Sequence, residues 1–113
     1  MSMLITILRT LQSETHQKLK EVTFSYNQLR KLKSYTFSDL PALVYLNFED
    51  NFIDTIEVRA LSNLNKLRWI YLRGNRIDMI QTEAFANLPE LELLDLAYNN
   101  LKTFDFSCLD QVS

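Results

Sequence analysis

His16 is the single histidine of this 113-residue chain, and Cys108 is its single cysteine. An imidazole beside a thiol is a pairing that nucleophilic catalysis uses, one group drawing the proton and the other attacking. Here almost the whole chain separates the two. Gly74 is the only glycine, so no glycine-rich loop is present to cradle a phosphate. A lone cysteine excludes an intrachain disulfide framework and any multi-cysteine metal site. The acidic side chains are scattered, and no paired-carboxylate site is implied. A different chemistry is written in "LRWIYLRGNRI", residues 67–77, where Trp69, Tyr71 and Arg73 alternate with Ile70 and Leu72. Such alternation marks a strand with two unlike faces. A face bearing an indole, a phenol and a guanidinium is equipped to grip another surface.

The elements that position this face emerge from self-comparison. From Leu19 onward the chain falls into four registers without a gap: "LKEVTFSYNQLRKLKSYTFSDLPA", "LVYLNFEDNFIDTIEVRALSNLNK", "LRWIYLRGNRIDMIQTEAFANLPE" and the shorter "LELLDLAYNNLKTFDFSCLDQVS". The first apolar column is Leu19, Leu43, Leu67 and Leu91, and the last is Leu40, Leu64, Leu88 and Val112. Asn27, Asn51, Asn75 and Asn99 recur between them. The pattern L-x-x-L-x-L-x-x-N-x-L is the leucine-rich repeat signature. The third register continues "IDMIQTEAFANLPE", which resembles the typical 24-residue subtype, x-x-A-F-x-x-L-P. The resemblance covers residues 19–113, as repeats 19–42, 43–66, 67–90 and 91–113. It implies an α/β repeat solenoid, an arc with a concave parallel sheet and an irregular or short helical convex side. The last repeat is similar to those of the insect chaoptin-like and Toll-like surface families.

Physical chemistry supports stacking. Each repeat carries apolar residues throughout but too few neighbours to bury them alone. Ile70, Leu72, Leu94 and Leu96 are expected to point inward. Each asparagine follows a strand, where the chain turns, and its amide can both donate to and accept from the unpaired turn backbone. Asn27, Asn51, Asn75 and Asn99 are therefore expected to form a buried structural ladder. Cys108 shares a column with Thr36, Ala60 and Ala84, which reads as a small packed core position and not as a reactive thiol. Residues 1–18 lose register, since Ile5 and Leu8 fit but Ser13 and His16 fall at apolar columns. They are expected to be a partial coil, an amphipathic helical cap or disordered. Met3 to Leu8 is too short, and too poorly flanked, for a signal peptide. With Ser113 as its last residue the fourth coil would expose Leu94, Leu96, Leu101 and Phe104. That suggests a fragment of a longer protein that self-associates through this edge.

Composition narrows the function. A net charge of −2 gives no reason to expect nucleic acid, and no apolar run is long enough to insert in a membrane. Charge is uneven: residues 1–42 carry six Lys/Arg against three Asp/Glu, and residues 43–113 carry six against eleven. The basic stretch "RKLK", residues 30–33, reads as a solvated edge.

What remains is the concave sheet. Its outward positions are Glu21, Thr23 and Ser25, then Tyr45, Asn47 and Glu49, then Trp69, Tyr71 and Arg73, then Leu93, Asp95 and Ala97. Parallel neighbours lie about 4.8 Å apart, so Tyr45, Trp69, Tyr71 and Leu93 are expected to form one patch. Glu49 is expected to face Arg73, and Asp95 to adjoin Tyr71. Exposed aromatics flanked by charge resemble interface hot spots; the alternative is that they only stiffen the sheet as cross-strand pairs. The reading is a non-enzymatic module, without metal or cofactor, that binds a protein ligand through Tyr45, Asn47, Glu49, Trp69, Tyr71, Arg73, Leu93 and Asp95. Family resemblance implies an extracellular or cell-surface receptor or adhesion protein. A cytosolic adaptor, or a structural fragment without independent function, are the alternatives.

Overall fold

The computed structural model describes residues 17–112. The expectation for residues 1–18 falls outside them, apart from its last two positions. From Leu19 the chain winds through four coils. The first contains β1 (Glu21–Thr23), β2 (Lys31–Leu32) and β3 (Phe37–Ser38), and the second β4 (Tyr45–Asn47), β5 (Thr55–Ile56) and β6 (Leu61–Ser62). The third contains β7 (Trp69–Tyr71), β8 (Met79–Ile80) and β9 (Phe85–Leu88), and the fourth β10 (Leu93–Asp95) and β11 (Leu109–Val112). Strands stack on their counterparts one repeat away, always in parallel. Three sheets result, in the orders β1-β4-β7-β10, β2-β5-β8 and β3-β6-β9-β11.

Of the expected irregular or short helical convex side, the helical form is not seen: no α-helix occurs among the described residues. The convex side is two ladders of short strands, with one 3-10 turn at Phe106–Cys108. The reason lies in the corners. Every residue with positive φ among those described falls in one of three columns: Tyr26, Asp50, Gly74 and Tyr98; Tyr35, Arg59 and Glu83; Asp39, Asn63, Asn87 and Gln111. A left-handed residue breaks the run of right-handed dihedrals that a helix needs; the second and third columns bracket β3 and β6, and Asn87 and Gln111 of the third fall within β9 and β11. The corner backbone is held by bonds to the following coil. Tyr35 N–H donates to the Arg59 carbonyl at 2.9 Å, Arg59 N–H to Glu83 at 2.9 Å, and Glu83 N–H to Ser107 at 2.8 Å.

The core is the space the three sheets enclose. Leu43, Leu46, Phe48, Ile53, Ile56, Leu61 and Leu64 of the second coil are wholly buried, as are Leu67, Ile70, Leu72 and Ile77 of the third. Phe24 and Phe48 stack at 5.9 Å, and Phe37 tilts against both. In the fourth coil Leu94, Leu96 and Leu101 are only partly buried. The basic stretch at residues 30–33 is more than a solvated edge. Leu32 between its lysines is wholly buried in the core, and Lys31 reaches Asp54 of the next coil at 3.4 Å. Cys108 is buried, and that burial pushes its thiol pKa up, the opposite of what a reactive thiolate needs.

Candidate protein-binding face

The sheet β1-β4-β7-β10 presents one side chain of every two away from the core. Its register puts Glu21 beside Tyr45, Tyr45 beside Trp69, and Trp69 beside Leu93. The neighbouring row runs Thr23, Asn47, Tyr71 and Asp95. The inward residues of the same strands, Leu46 and Ile70, fill the core. Trp69 and Tyr71 therefore stand outside because the interior on their strand is already occupied.

The phenol rings of Tyr45 and Tyr71 meet with centroids 5.5 Å apart, tilted by 48°. They are diagonal neighbours, within the reach expected of aromatic side chains across adjacent strands. Leu93, 40% exposed, extends the patch into the fourth coil. Trp69 is half-buried, and its indole lies under the Arg68 guanidinium, 4.9 Å from the ring centre. Arg68 is anchored in turn by Glu92, its Nε donating to the carboxylate at 2.6 Å.

Asn47 sits at the middle of the face, yet only 9% of it is exposed. Its Nδ2 donates to Tyr45 Oη at 2.9 Å and to Glu49 Oε1 at 3.4 Å. Its Oδ1 accepts from Ser25 Oγ at 3.2 Å and from Glu49 N–H at 2.8 Å. Asn47 thus orders its neighbours from below. Glu49 and Arg73 share a row on adjacent coils, but no ion pair joins them among the described residues. Arg73 turns to the following coil, reaching Asp95 at 3.7 Å and covering the Tyr98 ring at 4.6 Å. Asp95 stands beside Tyr71 in the neighbouring row, as expected, and takes the guanidinium of Arg73 diagonally. Tyr98, at 76% exposure, belongs to the margin of the face and has no counterpart in the alternating pattern that marks the strand. It sits in the first left-handed corner column, a position the alternation of a strand does not cover.

Beside the face runs the asparagine column. Asn51 Nδ2 donates to the Phe48 carbonyl and, one coil back, to Phe24, each at 2.9 Å, while Leu29 N–H donates to its Oδ1 at 3.3 Å. Asn75 repeats this with Leu72, Phe48 and Ile53, and Asn99 with Leu96, Leu72 and Ile77. Asn27 bonds Phe24 and Ser25 of its own coil. Asn51 and Asn75 are buried, whereas Asn27 and Asn99 in the outer coils are partly exposed. A second ladder, silent in the sequence, runs on the convex side: Glu57 accepts from Ser34 N–H at 3.1 Å, and Gln81 from Val58 N–H at 2.9 Å. Glutamate and glutamine at one column carry no motif, though both supply a side-chain oxygen at the same reach.

Two shallow depressions, each lined by Asp78, Met79, Leu101 and Thr103, lie beside β8 and away from this face. No helix among the described residues is long and apolar enough to cross a membrane. A stacked parallel solenoid with an asparagine turn in each coil defines the class. The leucine rich repeat family model matches residues 17–77 and 70–113, and the chain belongs to that family. No curated protein and no solved structure matches it. Leucine-rich repeat domains are generally protein–protein interaction modules and are typically not enzymes.

Proposed function

We propose that this chain binds a protein ligand on its concave sheet, through Tyr45, Trp69, Tyr71 and Leu93 with Asn47, Glu49, Arg73 and Asp95 around them, and that it performs no catalysis. The observation that carries the reading is the Tyr45–Tyr71 contact beside half-exposed Trp69 and Leu93, an aromatic cluster on an open face with charged side chains about it. Rigid amphipathic rings ringed by polar groups are where interface energy concentrates. Trp69→Ala is expected to leave the unfolding midpoint nearly unchanged, because Ile70 and Leu72 are the inward residues, and to weaken ligand binding by about 2 kcal/mol. A photo-crosslinking side chain at Tyr71 should capture the ligand, while one at exposed Thr82 on the convex side should not. Equal capture at both sites, or full affinity in Trp69→Ala, would sink the reading.

The setting we propose is an extracellular or cell-surface receptor or adhesion protein, supported by the likeness of the third repeat to the typical 24-residue subtype. Surface biotinylation of the protein in its own cells tests it. Labelling only after permeabilisation would assign it instead to a cytosolic adaptor.

A further inference from the structure

We infer that the ligand enters the concave face with a cation, a lysine or arginine on an extended protein segment, seated against the Tyr45–Tyr71 pair beside Glu49. The inference rests on the concave face being the docking surface, and it adds the chemistry of the partner. Three features of the face converge on it. The first is charge. In the third and fourth coils, Arg68 pairs with Glu92 and Arg73 with Asp95. In the first and second coils, Glu21, Glu49 and Asp50 have no ion pair among the described residues. Lys18, and Lys20, Arg30 and Lys33 of the first coil, have no ion pair among the described residues either, so the charge that bears on the rings is local. It is the Glu49 carboxylate, which shares the Asn47 amide with Tyr45 Oη and has no cation of its own among the described residues.

The second feature is the rings. Arg68 lies over Trp69, Arg73 over Tyr98, and Arg76 over Phe52 at 4.5 Å. The contacting Tyr45 and Tyr71 rings carry no such cation among the described residues, although the unpaired Glu49 carboxylate stands beside them. A cation over a tyrosine face gains from the ring quadrupole, and a neighbouring carboxylate strengthens its hydrogen bonds.

The third feature is preorganisation. The buried amide of Asn47 fixes Tyr45 Oη and Glu49 Oε1 around one nitrogen. Its own oxygen is already engaged by Ser25 and Glu49 N–H. Two acceptors are therefore held in place before any ligand arrives, at little further cost in side-chain entropy. The carboxylates are spread over two coils, and no group of three or more metal-ligating side chains occurs among the described residues. A chain with successive side chains matches that spread, where a single small ion does not.

The test is selection of displayed random peptides on the full chain, competed with soluble Tyr71→Ala chain, followed by affinity measurement of the recovered sequences. Should Tyr71→Ala unfold, Tyr71→Leu takes its place and keeps the bulk while removing the ring. The expected ligands are rich in Lys and Arg, and Glu49→Gln weakens them by about fivefold or more. Glu90→Gln removes the same charge from an exposed position outside the sheet and should weaken them by less than about twofold. Acidic or neutral ligands that depend on Tyr71, or ligands indifferent to Glu49→Gln, would overturn the cation and leave the docking face standing. Ligands indifferent to Tyr71, or no ligand at all, would overturn both.

Discussion

At the scale of single residues, Asn75 and Cys108 show two ways of occupying a core. Asn75 makes its bonds to backbone groups of two adjacent coils. Asn75→Ala leaves the buried Ile53 N–H without its partner, while the Phe48 and Leu72 carbonyls each lose one of two asparagine donors. It is expected to cost about 1–3 kcal/mol in chemical denaturation; an unchanged midpoint would exclude that role. Cys108 is buried without a functional partner, and desolvation raises its pKa. A raised folded pKa favours the neutral thiol. Its contribution is therefore complete below the ordinary thiol value of about 8.5 and is lost as pH rises beyond it. Cys108→Ala, which matches Ala60 and Ala84 of the same column, should fold and should lose less stability between neutral and alkaline pH than the parent. Identical pH profiles would remove the thiol from the alkaline response.

At the scale of elements, the corners decide what the strands can be. Tyr26, 82% exposed, holds a φ of 59° with its backbone bonded to Glu49. A non-glycine residue there costs about 1 kcal/mol or more, so Tyr26→Gly is expected to raise the unfolding free energy by up to that amount. The same change at extended Thr23 should lower it. Gly74 is the complementary case in the same column. Its φ of 75° is shared in sign by Tyr26, Asp50 and Tyr98, so a side chain there carries the same backbone strain as theirs. A Cβ at Gly74 meets the carboxylate of Asp50, an exposed group that can move. Gly74→Ala should cost about 1 kcal/mol, and less in an Asp50→Ala background. Additive costs in that double-mutant cycle would place the strain in the backbone instead.

At the scale of the whole molecule, stability is graded along the stack, because a coil's burial depends on its neighbours. Leu46 and Leu94 occupy the same column, one wholly buried and the other partly so. Leu46→Ala is expected to cost about 2–5 kcal/mol, and Leu94→Ala clearly less. Hydrogen exchange should follow the same order, slowest in the second and third coils. Equal costs would mean that the fourth coil is as well covered as the second. The ion pairs between coils, Lys31–Asp54, Arg59–Glu83, Arg59–Asp110, Arg68–Glu92 and Arg73–Asp95, lie at partly exposed side chains. They set alignment more than stability.

The sequence by itself determined the repeat, the family and the two faces of each concave strand. A period in apolar residues and a strict alternation depend only on which side chains must leave water. The positions of the four asparagines were legible for the same reason, since the turn they follow recurs at one place in every coil. Tertiary structure alone decided the convex side and the partners of the charges. Some left-handed corners hold Asp39, Asp50, Asn63, Gly74 or Asn87, types that favour that conformation. Tyr26, Tyr35, Arg59 and Glu83 have no such preference, and it is the hydrogen bond to the next coil that holds them there. Arg73 had Glu49 beside it in its own row and Asp95 diagonally across, next to Tyr71. A long side chain chooses between such neighbours by the whole local field, here Asp95 together with the ring of Tyr98, and no pattern along the chain records that choice.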